Sequence, residues 1–257
     1  GTGNFEGAAT ADWSIAKKNI SGATISLGDS LTYNGNEQTQ KVIDVKIGDL
    51  TVTYDVTANK QLGAGNYTLT VTGNGNFEGS VTADWSIAKA RLTITANNNS
   101  ITYGDVPAAN GVTGTGFVSS ESIEDLSGEL TYSYNYEQFG NVGTYKITPS
   151  GVTSNNYEIT FADGTLTVNA KAITVTADAL SKTYGEADPA LTYTAQGLVN
   201  GDELTGELKR VAGENVGSYA IEQNTLTAGN NYRLTYTGAK LTINAKALSE
   251  VAITIQE

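Results

Sequence analysis

"GNFEGSVTADWSIAKA" (residues 75–90) decides the architecture, because the chain carries it nearly twice. Its twin, "GNFEGAATADWSIAKK", occupies residues 3–18. Aligned from Gly1 and Gly73, 14 of 18 positions agree at a constant offset of 72. Within the stretch, Phe77, Val81, Ala83, Trp85 and Ile87 fall on one side of a period-two pattern, and Thr82, Asp84 and Ser86 on the other. That is a strand with one buried and one wet face, the habit of antiparallel sheets. "RLTITA" (91–96), "AITVTA" (172–177) and "NYRLTYTGAKLTI" (231–243) read the same way. The one helical hint is "SSESIEDLS" (119–127), with Ser at a helix start and Ile123 and Leu126 on one side. It and its counterpart "VNGDEL" (199–204) support one turn at most.

The repeat extends beyond this stretch. Three landmarks recur in one order. A Thr-Tyr precedes a turn at Thr32-Tyr33-Asn34-Gly35, Thr102-Tyr103-Gly104 and Thr183-Tyr184-Gly185. A Gly-x-Tyr opens a strand at Gly65-Asn66-Tyr67, Gly143-Thr144-Tyr145 and Gly217-Ser218-Tyr219. An Asn-aromatic pair opens a last strand at Asn76-Phe77, Asn156-Tyr157 and Asn231-Tyr232, ending at Lys89, Lys171 and Lys246. The second Tyr stands 10, 12 and 13 residues before the aromatic, which stands 12, 14 and 14 before the Lys. The chain therefore divides into module 1 (17–89), module 2 (90–170) and module 3 (171–247). Modules 2 and 3 share "NVG[TS]Y" and "LT[VI]NAKA". Residues 1–16 read as the tail of a preceding module and 248–257 as the opening strand of a following one, as in a piece cut from a longer array.

In Gly-x-Tyr-x-[Ile/Leu], the Tyr stands two residues before a buried position, as in the tyrosine corner of immunoglobulin-like sandwiches. Tyr67, Tyr145 and Tyr219 are the candidates, with Leu69, Ile147 and Ile221 facing inward. The expected fold is all-β: tandem small antiparallel modules in a rod, each an Ig-like sandwich of about seven short strands. The alternative is a β-grasp module in which the 119–127 turn is a reduced helix. Strand runs into strand across "SIAKARLTI", "TVNAKAITV" and "TINAKALSE", with no Gly/Ser or Pro-rich linker, so little hinge motion is expected.

Composition narrows function by exclusion. Hydrophobic residues are 39% and charged residues 16%, which does not suit charge-driven disorder. The net charge of −12 disfavours both a phosphate backbone and an anionic lipid surface. With no His and no Cys, Ser-His-Asp and Cys-His catalysis and thiolate or imidazole zinc sites are ruled out. "YGD" (103–105) and "NGDEL" (200–204) offer too few oxygens for a calcium loop, and "GNGNFEG" (73–79) lacks the Lys-Ser/Thr of a phosphate loop. The densest acidic cluster, Glu121, Glu124 and Asp125, reads as a solvated face. No catalytic, cofactor or metal residues are expected, and no enzyme. The remaining ligand candidate is "TYSYNYE" (131–137), where Tyr132, Tyr134 and Tyr136 alternate onto one face, either for a glycan or protein partner or for the core.

"TYG" or "TYNG" near each start, "VG-x-Y" in the middle and "N-[YF]…LT[VI]-x-AKA" at the end resemble the MBG-type repeats (YGX and related types) of large bacterial surface adhesins. The resemblance covers nearly the whole chain, most strongly 90–247 and more loosely 17–89. It implies a secreted or surface-anchored bacterial protein whose repeats act as a stalk, without enzymatic activity or cofactor, and with neighbouring modules as principal partners. The alternatives are a glycan- or host-protein-binding module and an accessory region of a secreted glycan-degrading enzyme. A monomer is expected, with one further expectation at its ends. Residues 9–16 should form a strand with Trp13 packed, paired with 248–255 of another molecule.

Overall fold

A computed structural model describes residues 3–248. Two compact units divide the chain, and they cut across the middle module. One holds residues up to Ile94, Gly114–Thr131 and Gly151–Phe161; the other holds Thr95–Thr113, Tyr132–Ser150 and Ala162 onward.

The first unit contains module 1. Its larger sheet orders Leu31–Thr32, Ser80–Ala88, Gly65–Gly73 and Tyr54–Thr57. The central pair is antiparallel, with Trp85 opposite Tyr67 and Ala83 opposite Leu69. Alternation does what the sequence pattern asks of it: Trp85, Ile87, Leu69 and Val71 are buried, while Thr82, Asp84 and Ser86 face water. A three-stranded sheet, Thr24–Leu27, Val42–Ile47 and Leu50–Thr51, carries the fully buried Val45.

The second unit contains module 3, which has seven strands in two sheets. Lys171–Ala177 lies between Tyr193–Gln196 and Tyr232–Thr237. Leu180–Thr183, Ala239–Asn244, Gly217–Glu222 and Lys209–Arg210 form the other sheet in that order. Ile173 and Val175 of the first sheet and Ile221, Leu241 and Ile243 of the second are buried. The Tyr236 hydroxyl crosses from one sheet to the other, donating to the Ile221 carbonyl at 2.9 Å. Ala96, Ile147, Leu166 and Val168 of the middle module join Tyr103, Tyr136, Ile173 and Tyr232 in one apolar cluster.

The hairpins are antiparallel as expected, but the sheets are mixed. In each module one short strand near the start pairs parallel with the last strand: Leu31–Thr32 with Ile87 and Ala88, Asn99–Thr102 with Leu166 to Asn169, Leu180–Thr183 with Leu241 to Asn244. Parallel neighbours need a long connection, and here the body of the module supplies it. Alternation fixes which face is buried but is silent on direction.

The β-grasp alternative fails for want of a helix. Among the described residues the helical feature is a single 3-10 turn, Ile123–Asp125, which buries no side chain. Ser122 caps it and Asp125 reaches back to the Ser122 amide at 2.7 Å, completing a capping box of one turn.

The expectation for 9–16 is overturned. These residues form no strand, and Trp13 is 81% exposed although the same string buries Trp85 to 6%. The difference is partnership. Ser80–Ala88 lies between Gly65–Gly73 and Leu31–Thr32, whereas no strand of the described chain pairs with 9–16. A strand with no ladder to join has only local propensity, which is weak and depends on context. The other half of that expectation falls on 249–255, outside the described residues.

Candidate functional site

Each Gly-x-Tyr folds into a tyrosine corner. The hydroxyls of Tyr67, Tyr145 and Tyr219 donate to the carbonyls of Gly63, Asn141 and Asn215, four residues back, at 2.8, 2.7 and 2.8 Å. Leu69, Ile147 and Ile221 are buried two residues on. The loop before each strand is thereby tied to the strand itself.

The tyrosine stripe of module 2 faces inward. Tyr136 is 3% exposed, and Tyr132 and Tyr134 pack half-buried against the same core. The Tyr136 ring meets the corner Tyr145 at 4.9 Å between centroids. Burial pushes the Tyr134 and Tyr136 phenols above their ordinary range.

Nine residues before its own corner Tyr219, module 3 carries Arg210 where module 2 carries Tyr136. The guanidinium lies 5.4 Å from the Tyr219 ring centroid. A charged square replaces the aromatic packing. Lys182, buried in the place that Ile101 holds in module 2, contacts Asp188 and Glu214 at 2.7 Å each. Arg210 reaches the same two carboxylates at 2.6 and 2.5 Å. Hydrogen bonds from Arg210 and Lys182 hold Asp188 down at about 2 and lower Glu214 as well. The same contacts raise Lys182.

The most informative geometry lies where one module meets the next, and it occurs once in each unit. In the first unit, Tyr33 of the Thr-Tyr turn and Tyr157 of the Asn-Tyr pair both donate to the carboxylate of Glu121. Their rings meet edge to face at 5.5 Å. The Val118 amide donates to the Tyr157 hydroxyl at 3.0 Å. Asn156 joins two more amides, taking Ala64 N–H on its side-chain oxygen at 3.0 Å and Ala90 N–H on its carbonyl at 2.9 Å. The bond to Glu121, then burial, pushes Tyr33 up to about 12, because ionising it would set two anions face to face.

The second unit repeats this arrangement with Asp in place of Glu. Tyr103 and Tyr232 donate to one oxygen of Asp202 at 2.8 and 2.7 Å, with ring centroids 5.3 Å apart. The Val199 amide donates to Tyr232 at 3.1 Å. Asn231 accepts from Val142 at 2.9 Å and from Lys171 at 3.0 Å. Burial first, then the bond to Asp202, pushes Tyr103 up to about 12.

Glu121 is thus no solvated cluster member; it is the centre of a clasp. The signal that finds it is an alignment of turns. "GFVSSE" (116–121) and "GLVNGD" (197–202) place the acid three residues after Val in both. Ser119 and Asn200, at matching places in the two turns, share left-handed backbone with φ of 53° and 59°, which swings the acid back toward the phenols. Two further acids serve locally: Asp105 and Glu186 accept from the amides of Thr102 and Thr183, closing the Thr-Tyr turns.

No curated protein matches the chain significantly in sequence. Two of the solved structures that match show only loose likeness. The three N-terminal domains of the bacteriophage RB49 Highly Immunogenic Outer Capsid protein are 12% identical with a TM-score of 0.27, over 86% of this chain and 99% of that one. Drosophila N-cadherin EC1-4 is 10% identical with a TM-score of 0.19, over 92% and 69%. These scores are too low to transfer fold or function. The family models are decisive: the MBG domain matches residues 23–91, and the MBG domain (YGX type) matches 92–167 and again 173–242. The chain belongs to the MBG-domain family, as one MBG domain followed by two of the YGX type.

Proposed function

We propose that this chain is a spacer segment of a bacterial cell-surface or secreted adhesin, holding a functional region away from the cell. The observation that carries the reading is the clasp. Tyr33–Glu121–Tyr157 and Tyr103–Asp202–Tyr232 close successive junctions with the same groups, and strand follows strand with no linker between them. A segment that fixes each module on its neighbour suits load and reach, and in a linear array such interfaces add to each module's own stability. The three alternating tyrosines serve the core, which leaves them little face to offer a glycan.

The test is replacement in the parent protein. Exchanging residues 17–247 for a flexible Gly/Ser chain of equal length should reduce adhesion by whole cells while leaving the parent's surface display intact. Exchange for unrelated rigid tandem modules should restore it. If the isolated chain binds a glycan array, and Tyr134→Ala abolishes that binding, the spacer reading is wrong.

A further inference from the structure

The Thr-Tyr turn occurs three times, and two copies are covered. Tyr33 is 5% and Tyr103 3% exposed, each beneath the Asn-Tyr pair and acidic turn of the following module. The third, Tyr184, is 49% exposed. It is built in the same way as the others: its amide donates to the Asn244 carbonyl at 2.8 Å, as Tyr33 does to Ala88 and Tyr103 to Asn169. Around it the rest of the receiving half is in place. Val216, three residues before its corner tyrosine like Val142 and Ala64, stands 58% exposed. Lys246 occupies the position from which Ala90 and Lys171 donate to an Asn carbonyl. Tyr184, Asn215, Val216 and Lys246 line one open pocket.

We propose that this face is a docking site for a further module of the YGX type. The partner's chemistry follows from the two filled sites. An Asn would take the Val216 amide on its side chain and the Lys246 amide on its carbonyl. The following Tyr would set its edge on the Tyr184 ring, and a carboxylate three residues after Val on the partner's turn would accept from both phenols. Module 1 does not qualify as occupant, because its Asn76 is followed by Phe77, which has no hydroxyl to give. This inference rests on the repeated junction alone and not on where the protein is displayed.

The test extends the chain and reads Tyr184 by hydroxyl-radical oxidation and mass spectrometry. In one chain residues 91–170 are copied after Lys246; a second receives residues 173–247 after Ala247, as a guard against a copy that does not fold. Tyr184 of the first extended chain should be oxidised at least tenfold more slowly than in the original, approaching Tyr103. In the second, half of the Tyr184 signal should be protected. Glu121→Gln with Tyr157→Phe, made in the appended copy alone, should return Tyr184 to its original rate. An appended copy of residues 17–89 should protect it less than the YGX-type copies do. Unchanged oxidation in both extended chains, with the copies resistant to trypsin, overturns the proposal. So does a Tyr184 already protected in the original chain and exposed by deleting 249–257, since the chain's own tail would then be the occupant.

Discussion

Tyr33→Phe isolates the clasp. The substitution removes one hydroxyl from a ring only 5% exposed, keeps the edge-on packing against Tyr157, and leaves Glu121 with Tyr157 as its remaining donor. A hydrogen bond to a charged group contributes about 1.5–3 kcal/mol. Glu121 keeps one donor and some solvent access, which places the expected loss near the lower end, about 1.5 kcal/mol. Three modules need not unfold in one step, so a global midpoint is a poor reporter. Native-state amide exchange reads local opening instead. The Ala64 amide donates across this junction to Asn156, and the Val118 and Ala90 amides hold Tyr157 and Asn156 in place on its far side. Their protection should fall by about tenfold, the factor that corresponds to 1.4 kcal/mol. Amides of Gly65–Gly73 facing Ser80–Ala88 should change little. Glu121→Ala should cost more than Tyr33→Phe, and the double variant no more than Glu121→Ala, since both act on one bond. Additive losses, or junction amides that change less than twofold, would refute the clasp as a source of stability.

Further outcomes follow from the same geometry. Tyr145→Phe should destabilise its module by about 1 kcal/mol, the worth of one neutral hydrogen bond, as read by urea titration; an unchanged midpoint would deny the corner its role. Module 3 should lose stability as pH falls from about 5 toward 2, because Asp188 and Glu214 are held below their unfolded values and must take up protons on unfolding. Lys182→Met should flatten that dependence in an acid titration monitored by Tyr219 resonances. Acrylamide should quench the fluorescence of Trp13 far more readily than that of Trp85, separable with Trp13→Phe, since one is 81% and the other 6% exposed. A single quenching class would contradict the placement of 9–16.

What could be read in the sequence was whatever a short window records. Alternation from Val81 to Ile87 locates a strand and its buried face, although Phe77 falls in a separate short strand beside Lys18, and Gly-x-Tyr-x-[Ile/Leu] locates three corners whose partner lies only four residues away. The failures are all long-range. "ATADWSIA" and "VTADWSIA" are nearly one string, yet only the copy with flanking partners is a strand. Glu121 reads as solvated because its neighbours are polar, while its phenols lie 36 and 88 residues away. Lys182 sits in a strand at a position that its counterparts give to Ile101 and Leu31, and only Asp188, Arg210 and Glu214 explain how a charge is tolerated there. Strand direction left no trace in composition at all.

Successive modules are fastened by a carboxylate between two phenols rather than joined by a linker. Residual dipolar couplings of the whole chain test this most directly. Amides of Gly65–Gly73 and of the 117–126 turn should fit one alignment tensor, as should those of residues 145–150 and 198–204. Glu121→Ala should split the first set and Asp202→Ala the second. If either set already needs two tensors in the unaltered chain, the junctions are hinges and the account is wrong.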